Sequence, residues 1–324
     1  MPKTYPSTSR RFRLAFILVP ICAALIATCV GMQRADAAAG GPELFGSPEK
    51  AVAALVSAAT ANDSAQLLRI FGPEGGDLVG SGDPVADKLA RARFVTHYSK
   101  GGKVLRTGTH KATLAVGSEE WPFPIPIVER GNGWYFDTQA GAEEILDRRI
   151  GRNELSAIEV CRNYVRAQRD YVADVQAAHA PVEFAQKFIS SPGQHDGLYW
   201  TIQPGETESP IGPQMASAQA QGYDGSGVHS GDEHVPYHGY YYKILTRQGQ
   251  AAPGGARDYI VAGHMTGGFA MIAYPAKYGD SGVMTFVVNQ DGIVFEKDLG
   301  KDTTTAASAI TEFNPDMSWK PSHK

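Results

Sequence analysis

The chain has 324 residues and a formal net charge of −4; 43% of its residues are hydrophobic and 20% charged. That composition supplies a globular core and excludes wholesale disorder and a collagen-like repeat, and the acidic balance argues against a nucleic-acid binder. Glycine and proline together make up 56 residues, about 17% of the chain against a usual figure of roughly 12%, which favours many turns and short strands over a helical bundle.

The first residues read as a leader. Lys3, Arg10, Arg11 and Arg13 form a basic stretch, Leu14 to Met32 is free of charge, and Ala35-Asp36-Ala37 is a small-residue cleavage site before Ala38. Residues 1–37 are therefore expected to act as a secretory signal peptide cut between Ala37 and Ala38. The location that follows is periplasmic or secreted, with no transmembrane segment left after cleavage. The alternative is lipid anchoring through Cys29, because Ile26-Ala27-Thr28-Cys29 resembles a lipobox. Removal of the leader takes five basic residues and Asp36 with it, leaving a net charge of −8. It also removes Cys22 and Cys29. Cys161 remains alone, so the exported fold rests on packing and not on an internal disulfide.

The mature chain is expected to be α+β, with domains over residues 45–150 and 151–300 and a frayed polar tail over 301–324. Ser47 and Pro48 are an N-cap and a first helical residue, and Ala51, Val52, Leu55, Val56 and Ala59 recur at helical spacing. A short helix after Asp63 and a helical pattern over 85–98 follow. The period then changes. Lys103 to Val116 and Trp121 to Val128 read as strands, and Gly131-Asn132-Gly133 turns into a further apolar run. In Trp121-Pro122-Phe123-Pro124-Ile125-Pro126-Ile127 apolar residues alternate with prolines, which predicts an edge strand lying on a core.

A helix from Ala140 to about Gln176, punctuated at Gly151, carries a stripe of Ile158, Cys161, Val165, Val172 and Val175 flanked by Tyr164 and Tyr171. Glu144 and Arg148 are placed to pair at i, i+4. The run Arg148-Arg149-Ile150-Gly151-Arg152 could hold an anion, but a solvated helix face is the plainer reading. Residues 190–238 read as one long irregular stretch. Five strands then follow in the order of a meander: 240–246, 259–262, 269–274, 283–288 and 293–297, with Asn289-Gln290-Asp291-Gly292 as a hairpin turn.

The segments Trp121 to Pro126, Arg148 to Glu154, Gly239 to Leu245 and Tyr278 to Gly292 resemble an uncharacterised family of exported bacterial proteins, domain of unknown function 2950. The resemblance covers nearly all the mature chain. It implies export and supplies no activity. In architecture, residues 152–298 resemble the body of a pilin or pseudopilin, a long helix followed by an antiparallel meander. Residues 45–140 are similar in order to cone-shaped domains of the nuclear-transport-factor-two type, helices before a curved antiparallel sheet. Pilins begin with an apolar assembly helix, and here that place holds another domain, so polymerisation is not implied.

Few residues point to chemistry. Gly279-Asp280-Ser281-Gly282 matches the nucleophile motif of trypsin-like proteases, but the one histidine in a fitting motif, His264, lies only 17 residues away. The plainer reading is a tight turn in which both glycines supply unusual φ and Asp280 and Ser281 cap it. His229, Asp232, His234 and His238 are candidate ligands for a divalent metal, although their spacing fits no standard metal motif. His195-Asp196 is a lone pair, and the neighbours Glu143 and Glu144 point in different directions on a helix. No catalytic residue and no cofactor are expected. The reading is an exported, non-catalytic envelope-associated binding or assembly protein, with another envelope protein as partner. The rival is a metal-dependent or hydrolytic periplasmic enzyme using the 195–238 loop.

Overall fold

The structure is a computed structural model and describes residues 41–174, 182–202, 204–223 and 235–322. The cleavage site at Ala37 and Ala38, Cys29, Val175, His229, Asp232 and His234 lie outside the described residues. The fold is α+β, built from helices and antiparallel sheets.

Local capping sets the first elements. Ser47 Oγ accepts from the Lys50 N–H (3.3 Å) and opens α1 (Pro48–Thr60). Asp63 opens α2 (Ser64–Phe71) in the same way, accepting from the Gln66 N–H at 2.9 Å. After the short α3 (Gly76–Val79), Asp83 caps α4 (Pro84–Lys100) through the Ala86 N–H (2.9 Å). The chain then forms β1 (Gly102–Arg106), β2 (Lys111–Val116), β3 (Trp121–Pro122), β4 (Ile127–Arg130) and β5 (Gly133–Phe136). These make one antiparallel sheet in the order β1-β2-β4-β5, with β3 on β2. Val52, Leu55, Ile70, Leu114, Ile127 and Phe136 fill the core between sheet and helices.

The proline-rich segment departs from its expected pattern at one end. Ile125 and Ile127 are fully buried, but Trp121 is 62% exposed. Its indole N–H donates to Glu119 (2.8 Å), a solvent-side contact that an apolar alternation does not reveal.

The next helix, α5 (Ala142–Asp174), runs unbroken through Gly151. A lone glycine costs a helix only about 1 kcal/mol, less than the packing of the flanking turns contributes. Ile158, Cys161, Tyr164, Val165 and Tyr171 are buried on one face, as the stripe predicts. Beyond it come β6 (Lys187–Ile189) and β7 (Gly197–Tyr199), a parallel pair, and α6 (Gly212–Gln221). The stretch 190–238 therefore contains a strand and a helix. Gly-Pro-Gln-Met-Ala-Ser-Ala-Gln-Ala-Gln has no apolar stripe, and only Met215 and Ala218 of α6 are buried.

The meander proper is β8 (Tyr240–Leu245), β13 (Ala270–Pro275), β14 (Met284–Asn289) and β15 (Phe295–Asp298). Between β8 and β13 lie two separate two-stranded ladders, β9 (Arg247–Gln248) with β10 (Arg257–Asp258) and β11 (Ile260–Val261) with β12 (His264–Met265). The strand expected over 259–262 thus shrinks to a two-residue ladder outside the sheet, broken by the Ala262–Gly263 turn. Residues 301–322, expected as a frayed tail, are folded onto the sheet. They form α7 (Thr303–Ala309) and β16 (Lys320–Pro321), and Ala307 and Phe313 are fully buried. Phe313 exchanges main-chain bonds with Arg247 (2.9 Å) and Gly249 (3.0 Å), which ties the tail to the sheet. The second sheet has the order β16-β15-β14-β13-β8, all antiparallel. Helix α5 packs on β14 and β13, and α7 packs on β13.

A buried charge cluster joins the two halves. The Arg149 guanidinium, on α5, pairs with Asp280 and donates to the carbonyls of Asp77 (2.6 Å) and Leu78 (2.7 Å). Lys277 faces the other Asp280 oxygen at 2.8 Å and also pairs with Asp77. Burial pushes the Asp280 carboxyl above its ordinary value, while Lys277 and Arg149 draw it down. About one turn further along, Asn153 donates to the Ser281 carbonyl (2.9 Å), and Glu154 accepts from the N–H groups of Val283 and Met284 (3.1 Å each). The basic run is thus no solvated face at Arg149, whose side chain is 13% exposed. Of the two turn glycines only Gly279 has positive φ (+76°). Gly282 is needed for space instead, since a Cβ there would run into the Tyr240 ring.

Removing one partner of such a pair leaves an uncompensated buried charge. Asp280→Ala is expected to lower unfolding stability in urea by about 3–5 kcal/mol. A loss below about 1 kcal/mol, the range of a solvated pair, would contradict this placement.

Candidate functional site

The residues singled out for chemistry do not converge. Ser281 is fully buried, and its hydroxyl donates to the Lys277 carbonyl (3.1 Å). His264 sits on β12 against Glu183 (3.0 Å), so no nucleophile–base pair exists between them. Cys161 is buried, and burial pushes its thiol up to about 12, which makes it a packing residue. Glu144 pairs with Arg148 at 2.7 Å, as spacing predicts. Of the metal candidates only His238 is described, and among the described residues no group of three His, Cys, Asp or Glu side chains gathers around a point.

His238 has a different setting. It and Gly239 are the central residues of a tight turn, with φ of +50° and +76°, joining Tyr237 to β8. Asp83, fully buried, holds this turn through the Gly239 N–H (2.9 Å) and accepts from the Tyr223 hydroxyl (3.0 Å). The His238 N–H in turn donates to the Tyr223 oxygen (3.3 Å). One carboxylate therefore ties the start of α4, the end of α6 and the start of β8. Burial holds the His238 imidazole below its ordinary value, with Asp83 and Glu159 pulling upward and Arg93 downward.

Beside this turn opens a cleft of about 1330 Å³. One wall is the flank of α5, with Ser156, Glu159, Val160 and Asn163. The other is the loop between β6 and β7 together with α6. The floor is the end of the second sheet, where Tyr242 and Ile244 of β8 are half-buried and Met271 of β13 lies fully buried beneath them. Two interactions fix the walls. Gln168, fully buried, both donates to the Ala185 carbonyl (2.8 Å) and accepts from its N–H (2.9 Å), clamping the chain before β6 to α5. The Tyr171 hydroxyl donates to the His195 carbonyl (2.7 Å), and the His195 ring stacks on Trp200 with centroids 4.4 Å apart. Such a mixture of rings, apolar side chains and a few polar groups suits a bound organic ligand.

Three of the four sequence segments described above meet at the 277–284 turn. Arg149, Asn153 and Glu154 hold the 277–284 turn, and that turn packs against the Gly239–Tyr240 start of β8. The fourth, Trp121 to Pro126, stays in the first sheet. A family model matches residues 43–322. The chain belongs to the family described as "Protein of unknown function (DUF2950)". No curated protein and no solved structure matches it.

In this DUF2950 chain, the cleft-side loop between β6 and β7 is closed by Asp196, which the sequence marks only as half of a lone His-Asp pair. Its carboxylate accepts from Lys187 Nζ (2.7 Å), the Ser191 N–H (2.7 Å) and the Ser191 hydroxyl (2.9 Å). Burial alone would raise it, but the hydrogen bonds from Lys187 and Ser191 outweigh burial and lower it from 3.8 to about 2. A depressed carboxylate stabilises the folded loop above its unfolded value. That contribution is lost as pH falls through about 2. A carboxyl-carbon NMR titration is expected to place Asp196 near 2, and Lys187→Ala with Ser191→Ala to return it toward 3.8. An unshifted midpoint in the unsubstituted protein would contradict the assignment.

Proposed function

We propose that the protein is an exported, non-catalytic binding protein of the bacterial envelope that holds its ligand in the cleft between α5, β8 and the β6–β7 loop. The observation that carries this reading is the cleft itself. It is large, and its walls are braced by buried hydrogen bonds at Gln168, Tyr171 and Asp83, so it exists before any ligand arrives. Export is supported by the basic stretch, the uncharged run and the Ala35-Asp36-Ala37 site. No helix among the described residues is long and apolar enough to cross a membrane. The order of a long helix followed by an antiparallel meander supports the likeness to a pilin body, and a role in holding or assembling another envelope protein is in keeping with it.

Binding in the cleft is tested in cells. A photo-crosslinking amino acid replaces Glu159, which lines the cleft, or Leu105, which is exposed on β1. An adduct of defined mass is expected from position 159 and not from 105. Equal adducts, or none at 159, would count against the cleft. Mass analysis of the purified protein is expected to find a mature N-terminus at Ala38. Stoichiometric zinc or copper lost on His234→Ala would favour the metal-dependent enzyme instead.

A further inference from the structure

The floor of the cleft is an unfinished β-sheet edge. Among the described residues, strand β8 ends the second sheet and pairs on one side only, with β13. The main-chain groups of successive strand residues point alternately to the two sides of a strand. Tyr240 exchanges both its N–H and its C=O with Tyr237 (3.2 and 2.9 Å), so it faces away from β13. Gly239, one residue earlier, accepts from the Ala276 N–H on the β13 side (2.9 Å). At the far end the Thr246 carbonyl accepts from the Tyr259 N–H (2.9 Å), again on the outer side. The even-numbered residues therefore face outward. Between these two tied ends, Tyr242 and Ile244 direct two N–H and two C=O groups away from β13 where β8 lines the cleft. None of the four has a hydrogen-bond partner among the described residues.

An unpaired strand edge is a template for another strand. We propose that the ligand is an extended peptide segment of a partner protein, which adds to β8 as a short strand at Tyr242 and Ile244; this rests on the binding reading above. Three features favour a peptide. The free donor and acceptor of each residue lie together on one side and repeat at every second residue, the interval at which a second strand presents its own. The half-buried side chains of Tyr242 and Ile244, packed on the buried Met271, form an apolar floor for one side chain of the entrant, and the Ser156, Glu159 and Asn163 wall is polar. The slot is framed by Tyr237 and Tyr259, so it admits a segment of only a few residues. A second copy is the wrong occupant, because its own β8 edge is recessed in its own cleft and two such edges cannot meet.

The test uses the whole mature protein and two probes, a phage-displayed library of random octapeptides and the hexamer of β-1,4-linked N-acetylglucosamine. Ile244→Pro removes one outward N–H without breaking a bond to β13. Selected peptides are expected to carry alternating apolar residues and to bind Ile244→Pro about tenfold more weakly. The Tyr242 and Ile244 amides of the unsubstituted protein are expected to gain exchange protection when such a peptide binds, a readout that stands even if the proline variant does not fold. Unchanged protection at these two amides, undiminished affinity for Ile244→Pro, or selection of no peptide would overturn the proposal. Protection of the cleft by the sugar hexamer alone would overturn the peptide and leave the binding cleft standing. Absence of any adduct at position 159 in cells would instead remove the binding reading itself.

Discussion

Arg149 and Asp280 stand 131 residues apart in the chain, and their ion pair is made almost out of water. Two charges cannot be buried unless they meet each other and their remaining hydrogen-bonding groups are met as well. Arg149 also donates to the carbonyls of Asp77 and Leu78, and the second Asp280 oxygen, which accepts no hydrogen bond, meets the Lys277 charge at 2.8 Å. The requirement fixes the rotation of α5. With Arg149 facing the 277–284 turn, Asn153 and Glu154 fall onto the same turn, and Ile158, Cys161 and Val165 fall onto β13 and β14.

The cleft follows from that placement. Helix α5 packs on β14 and β13, and β8 lies at the end of the sheet, its outer edge unpaired at Tyr242 and Ile244 among the described residues. Asp83 then holds the turn that starts β8, and it reaches there from the first turn of α4. Both halves of the chain thus supply a carboxylate or a guanidinium to the frame around one opening. Burial of these groups costs desolvation that their mutual contacts offset.

Much of the fold was legible because it is written locally. The Ser47 cap, the Gly131 turn, the buried stripe of α5 and the strands β8, β13, β14 and β15 of the second sheet all follow from short-range pattern. The departures share a physical cause. Arg149 looks like any exposed helical arginine until its partner arrives from the far end of the chain. Helices α6 and α7 bury few residues, so neither shows a stripe, and the tail's order depends on Phe313 fitting beside Arg247. The cleft was legible only as the interval 190–238. Its decisive feature, an outward pair of main-chain groups, carries no side-chain signature, whereas the positive φ of His238 and Gly239 at least marks where β8 begins.

If the Arg149–Asp280 pair is what makes the two cores one frame, they must open together. Native-state hydrogen exchange in rising urea follows the Ile127 amide in β4 and the Val287 amide in β14 separately. A single opening free energy is predicted for both in the unsubstituted protein, and, once Asp280 is replaced by alanine, lower values at both sites with Ile127 falling below Val287. Independent opening of β4 in the unsubstituted protein, several kcal/mol below β14, would contradict it.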